Sequence, residues 1–185
     1  MFQPSDCRYH GIERNEYPLP NDSEEHTRLD NLHHMFRNLV GRNVLAPIGP
    51  KPMRILDVGA GSGRWVVEVA EEFPSATVIG VDLSPIEPPG KVPENCEFVV
   101  GDLTDGLKFD DGSLGLVHSR YVSSQLCRLM RIINAGVTQK QWPAYMKEVY
   151  RVLEPDTGWA QCTEFQGHGL FAEGNVPEDS ALREV

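Results

Sequence analysis

The sequence predicts an α/β domain built on a doubly wound, mostly parallel sheet. Three observations carry this. Short β-branched runs alternate with amphipathic helical segments from Arg54 to Phe165, a pattern that buries a parallel sheet between helical layers. One run, Ile55-Leu56-Asp57-Val58, passes directly into Gly59-Ala60-Gly61-Ser62-Gly63, with glycine at every second position, and then into a helical pattern. Acids fall at or just beyond three successive strand ends, at Asp57, Asp82 and Asp102. Open parallel sheets bind ligands in that place, outside the carboxyl ends of the strands.

The 185 residues suffice for one domain burying about 70% of its unfolded-chain surface. Residues 1–45 form an N-terminal arm and a helix that closes over the site as a lid. Residues 46–165 form the core, and 166–185 a tail of the same domain. Asp22-Ser23-Glu24-Glu25 starts the lid helix with a capping side chain and acids over the positive helix end. Leu29, Leu32, Met35/Phe36 and Leu39/Val40 then make one apolar stripe over about 23–40, and Gly41 stops it. Asn43–Pro52 is a proline-rich connector.

In the core, Arg54–Val58 is the first strand and Gly63–Phe73 the first core helix, broken by Pro74-Ser75. Ala76–Val81 is the second strand. The segment Pro85-Ile86-Glu87-Pro88-Pro89-Gly90 is too proline-rich for a regular crossover helix. Glu97–Val100 is the third strand and Leu114–His118 the fourth, after an Asp110-Asp111-Gly112 turn. Residues 121–134 are expected to be helical. Trp142–Leu153 is a helix with Pro143 in its first turn. Trp159–Phe165 is the fifth strand, and the tail has no readable pattern.

Composition excludes several classes. Net charge is −10 with no basic cluster, so a nucleic-acid backbone would be repelled. No apolar run reaches the roughly 20 residues that span a bilayer, and no signal peptide is readable. The expected location is cytoplasm or nucleus. Cys7, Cys96, Cys127 and Cys162 form no C-x-x-C and read as unpaired, mostly buried thiols. His33-His34 point about 100° apart on a helix, so they read as surface or lid histidines and no metal is expected.

The glycine spacing narrows the ligand. A dinucleotide loop is G-x-G-x-x-G, but here Gly63 comes one residue early and Arg64 holds the dinucleotide position. A P-loop lysine is absent. The order D-x-G-x-G-x-G resembles motif I of class I S-adenosylmethionine (SAM) methyltransferases, which have a Rossmann-like fold. Gly59, Ala60 and Gly61 then let backbone approach the ligand, and Gly63 lets the helix pack closely. Asp57 either fixes the loop or meets the ligand's ammonium group. Asp82, with Leu83, either accepts both ribose hydroxyls or caps a helix in Asp-Leu-Ser-Pro. Asp102 could accept from an adenine amino group while Leu103 offers its N–H. His118, Ser119, Arg120 and Tyr121 follow the fourth strand and would border the methyl group. His118 is the candidate general base, or else a strand-end histidine with no chemical role. Asn/Asp-Pro-Pro-Tyr, associated with amino-group methylation of adenine or glutamine, is absent there.

Further segments resemble fungal LaeA-like (TAM-domain) methyltransferases: Tyr9-His10-Gly11, Tyr17-Pro18-Leu19-Pro20-Asn21-Asp22, Arg28-Leu29-Asp30 and His33-His34. The likeness runs on through Phe109–Tyr121 and Trp142–Trp159 to Leu170–Leu182. The resemblance implies a seven-stranded SAM domain, often a role in secondary metabolism, and a small-molecule or protein acceptor. Some members are regulators in nuclear complexes. It places Tyr9 and Tyr17 in the lid over the cofactor, where a ring face near a sulfonium gains roughly 0.5–2 kcal/mol. Two departures stand out. Asp156-Thr157-Gly158 replaces a Pro-Gly-Gly type turn, and the chain ends before the last two strands of such a domain. A protein partner or a second copy is therefore expected to cover the sheet edge. A non-catalytic SAM-binding regulatory subunit is the second reading, and a dinucleotide oxidoreductase the third.

Overall fold

The computed structural model describes residues 22–49, 53–120 and 141–163. Within them lie α1 (Ser23–Val40), β1 (Arg54–Val58), α2 (Arg64–Glu72), β2 (Thr77–Asp82), β3 (Cys96–Val100), a single 3-10 turn (Leu103–Asp105), β4 (Leu116–Arg120), α3 (Trp142–Val152) and β5 (Trp159–Thr163). The five strands form one sheet in the order β3-β2-β1-β4-β5, with every pairing parallel. The order reverses between β1 and β4, so the crevice of an open α/β sheet falls at that junction. Expectations for Tyr9, Tyr17, the helix at 121–134 and the tail lie outside the described residues.

The period of two along each strand feeds two cores. Ile55, Val78 and Leu116 face α2 and pack with Val66, Val69 and Ala70. Leu56, Val58, Ile79, Val81 and Val117 face α3 and pack with Tyr145, Val149 and Val152. Most of these side chains are under 2% exposed, and each contributes roughly 1.5–3 kcal/mol relative to remaining in water. The near-continuous apolar run of β1 reflects burial on both faces.

Three expectations need correction. The fourth strand begins at Leu116, not Leu114. Leu114 is drawn to the end of α3, where its N–H donates to Val152 O and its carbonyl accepts from Glu154 N. His118 therefore lies mid-strand and deep, with two further strand residues beyond it. The apolar stripe of α1 is also only partly covered, with Leu29, Leu32, Phe36 and Val40 half-buried. Met35 and Leu39 are 52% and 81% exposed, whereas Glu25 and His33 are buried. This helix lies over the glycine turn and the polar sheet end, not over the aliphatic core, so Asp30 and His33 join Leu29 and Leu32 in its contacts. Finally, Cys162 is exposed and Cys96 half-buried, because β5 and β3 are the edges of the described sheet.

The ends of α1 do follow the sequence. Asp22 Oδ1 accepts from Glu24 N at 3.1 Å and Glu25 N at 3.0 Å. Gly41 closes the helix in the left-handed region, its N–H donating to Arg37 O.

Candidate functional site

The turn after β1 sits at the reversal of strand order, and its glycines are all left-handed: φ is 73° at Gly59, 56° at Gly61 and 77° at Gly63. A side chain there costs energy through contact with the following carbonyl. Gly63 is also crowded. A Cβ would lie 2.7 Å from Ile86 Cγ2, 3.0 Å from Phe98 Cε1 and 3.3 Å from Pro88 Cβ. The proline-rich crossover thus packs on this glycine and fixes where α2 begins.

The loop is tied down by Asp82, not by Asp57. Asp82 Oδ2 accepts the Gly61 N–H at 2.8 Å and its Oδ1 the Ser84 N–H at 3.2 Å. The Gly59 and Ala60 N–H groups donate to Val81 O. Burial pushes the Asp82 carboxyl above the ordinary range, opposed by these N–H donors. Asp57 instead turns toward α2. It lies opposite His118 in the β1–β4 register, and its Oδ1 is 2.7 Å from His118 Nδ1. Both are buried. A carboxylate can only accept, so Nδ1 carries the hydrogen and a neutral ring presents Nε2 as an acceptor. That Nε2 has no hydrogen-bond partner among the described residues. Trp65 stacks on the imidazole at 3.9 Å and 4°, which fixes the ring plane. Next in the same row, Gln161 on β5 pins the connector before β1, accepting from Leu45 N and donating to Asn43 O.

A cavity opens between this row and α1. Asp57, Gly59, Ala60, Gly61, His118, Arg64, Arg120 and Trp65 line it from the sheet side, and Leu29, Leu32 and His33 from α1. Asp30 anchors the helix, accepting from Ser62 Oγ at 2.6 Å and Arg64 Nη2 at 2.7 Å. Arg120 Nη2 lies 2.9 Å from His33 Nδ1. A guanidinium only donates, so His33 Nε2 bears the hydrogen and faces Glu68 Oε2 at 3.1 Å. Burial holds His33 below the ordinary imidazole value, and Arg120 and His34 add to this against the pull of Glu68. Burial raises Glu68, but hydrogen bonds from Asn43 and His33 and the charge of Arg37 outweigh it and leave its carboxyl low. The ligand atoms of His33, His34 and Glu68 nevertheless lie within 4.8 Å of one another, although the two histidines are adjacent on the helix. Arg37, 3.1 Å from Glu68, and Arg120 already supply positive charge to this cluster, which disfavours a divalent ion.

Of the expected site residues, the fold brings Asp57, Gly59, Ala60, Gly61 and His118 around one cavity. Asp82, Leu83, Asp102 and Leu103 stand along the neighbouring strand ends, outside it. Ser119 faces the α3 side, its Oγ fully buried and without a partner among the described residues. The sequence reading named no part for Arg64, Trp65, Leu29 or Leu32 in this cavity. Arg64 had one readable signal, its place directly after the last glycine. The residues present fit a SAM-type cofactor: bare backbone at the turn, an acid at the end of β2, and orphaned polar atoms at His118 and Ser119.

Fold, glycine turn and strand-end acids together define a class I methyltransferase domain. The model described as "Methyltransferase domain" matches residues 55–156, and the chain belongs to this family. It is 34% identical over 177 residues to the methyltransferase pytC of Aspergillus terreus, covering 95% of this chain and 50% of that protein. It is 47% identical over 158 residues to the secondary metabolism regulator laeA of Aspergillus niger, covering 84% and 42%. The chain spans about half the length of these curated relatives. Among solved structures, a complex of the Haloferax volcanii Trm112 methyltransferase activator with a methyltransferase matches with a TM-score of 0.54, at 21% identity over 82% of this chain and 61% of that chain. That likeness shows the fold.

Proposed function

We propose that this chain is the SAM-binding domain of a methyltransferase whose acceptor is a small molecule of secondary metabolism or a protein side chain. The observation that carries the reading is the left-handed triplet Gly59, Gly61 and Gly63, pinned by Asp82 at the switch point of the sheet. SAM supplies an activated methyl group, so the protein's work is positioning, which supplies up to roughly 7–11 kcal/mol in favourable cases. Asp82 and Leu83 would hold the ribose, and Asp102 with Leu103 the adenine. Ser119, on the face of β4 opposite His118, would border the reacting end, and the family resemblance assigns Tyr9 and Tyr17 to the cofactor. Where the acceptor must lose a proton, His118 is the base, with Asp57 fixing its tautomer and Trp65 its plane. Calorimetry with SAM tests this. We expect binding by wild type and a marked loss in Asp82→Ala; no binding by wild type, or unchanged binding by the variant, overturns it.

A second reading is a non-catalytic SAM-binding regulatory subunit, favoured by relatives named as secondary metabolism regulators. Its partner, or a second copy of this chain, would cover the β5 edge of the described sheet, where Trp159 is exposed. Co-purification with another methyltransferase supports that reading, and turnover of SAM by the monomer defeats it. Cytoplasm or nucleus is the proposed location; no described helix is long and apolar enough to cross a membrane.

A further inference from the structure

We infer that α1 is a lid released by acid: it hinges at Gly41, is latched to the sheet through His33, and lifts from the cavity when His33 takes up a proton. The inference stands on the contacts of α1 and holds whichever ligand fills the cavity.

The hinge lies between the helix and a fixed connector. Gly41 ends α1 in the left-handed region, with nothing within 4 Å of the place a Cβ would take. Two residues on, the Asn43 carbonyl accepts from Trp65 Nε1 at 3.3 Å and from Gln161 Nε2 at 3.0 Å. The helix and the connector thus meet at a residue that can turn without meeting a neighbour, while the connector beyond it stays on the sheet. Glycine suits that place because both signs of φ are open to it, and a few such residues at the end of an element absorb a hinge motion.

The latch is polar. Arg120, at the end of β4, reaches α1 twice. Its Nη2 lies 2.9 Å from His33 Nδ1, and its guanidinium carbon 5.0 Å from the centre of the Phe36 ring. The His33 contact exists only while that ring is neutral, because a guanidinium can only donate and Nδ1 must accept. A proton on Nδ1 sets donor against donor and cation against cation at that distance, on a buried side chain. Glu68 on α2 gives little relief. Its Oε2 lies 3.1 Å from His33 Nε2, but the same oxygen already faces Arg37 Nη1 at 3.1 Å and Asn43 Nδ2 at 3.0 Å. Among the described residues the other titratable group beside the ring is His34, and burial, Arg120 and His34 all disfavour the charged form. His33 rides on α1 and Arg120 on β4, so the pair separates when the helix moves, and Phe36 leaves the guanidinium with it.

Hydrogen exchange read by mass spectrometry on the full chain, from about pH 5 to about pH 8, tests this without any ligand. Rates are divided by those of an unstructured chain at the same pH. Peptides from α1 (Ser23–Val40) are compared with peptides from α3 (Trp142–Val152). A lid opens more often than the domain unfolds, so α1 should be protected at least about tenfold less than α3. Its protection should hold above about pH 6.5, the value of a solvated imidazole, and fall below it by up to about tenfold per pH unit. His33→Asn, neutral throughout, should keep the protection of α1 flat. If that variant does not fold, Arg120→Gln takes its place; His33 then faces no cation there, and the fall should be smaller than in wild type. Protection of α1 equal to or above that of α3 would mean that the helix leaves only when the whole domain unfolds, and overturns the lid. Protection of α1 that ignores pH in wild type overturns the proton latch, as does a fall that persists undiminished in His33→Asn or, in its place, Arg120→Gln.

Discussion

Replacing Gly63 by alanine should be far more damaging than the same change at the other left-handed glycines. Three sites isolate the reason. Gly41, Gly61 and Gly63 have φ of 82°, 56° and 77°, so each alanine pays the left-handed penalty of about 1–2 kcal/mol. At Gly41 nothing lies within 4 Å of the new methyl group. At Gly61 the methyl meets Leu29 Cδ1 at 3.0 Å, the far end of a side chain on α1 that can turn aside. At Gly63 it meets Ile86, Phe98 and Pro88 together, the nearest at 2.7 Å. These come from the crossover and from β3; the proline ring cannot turn aside, and Ile86 can withdraw its Cγ2 only by leaving its χ1 rotamer. Overpacking adds about 1–3 kcal/mol, for a total of about 2–5 kcal/mol at Gly63. Urea denaturation followed by tryptophan fluorescence measures the series. In thermal melts each kcal/mol should appear as roughly 2–4 °C for a chain of this size. The reasoning fails if Gly63→Ala is no more destabilising than Gly41→Ala, or if Gly61→Ala is the worst of the three.

The remaining predictions concern α1. His33 is held low chiefly by burial, so below about pH 6.5 the unfolded chain takes up a proton that the folded one resists. Stability should therefore be full above that pH and fall as pH drops through it, by at most about 1.4 kcal/mol per unit. Urea melts across pH 5–8 should show this slope in wild type and a flatter one in His33→Asn; parallel slopes would refute it. Asp22→Ala removes the acceptor of two first-turn N–H groups and should cost about 1 kcal/mol. A change under about 0.3 kcal/mol in the same melts would show that the cap contributes little.

The bounds of α1, α2 and α3 lie close to their sequence marks because those marks are local. Asp22, Gly41, Gly63 and Pro143 act on the backbone within one turn of themselves, whatever surrounds them. The glycine turn was legible for the same reason, since its left-handed dihedrals are a property of residues 59–63 alone. The role of Asp57 was not legible. Whether it reached the loop, a ligand or a neighbour depended on the register of β4, which puts His118 opposite it. The polar share of the α1 contacts was not legible, because apolar spacing marks which side chains are covered only where the surface beneath is itself apolar.

By itself, then, the sequence determined the alternating α/β order, the glycine turn at the end of β1 and the acids beside it, because each follows from short-range backbone preference or strand period. Only the tertiary structure decided that Asp82 ties the turn, that Asp57 and His118 pair beneath Trp65, and that Arg64 and Asp30 join α1 to the loop. Those contacts link residues 21 to 61 positions apart. Their geometry is set by how strands and helices stack, which no local pattern encodes.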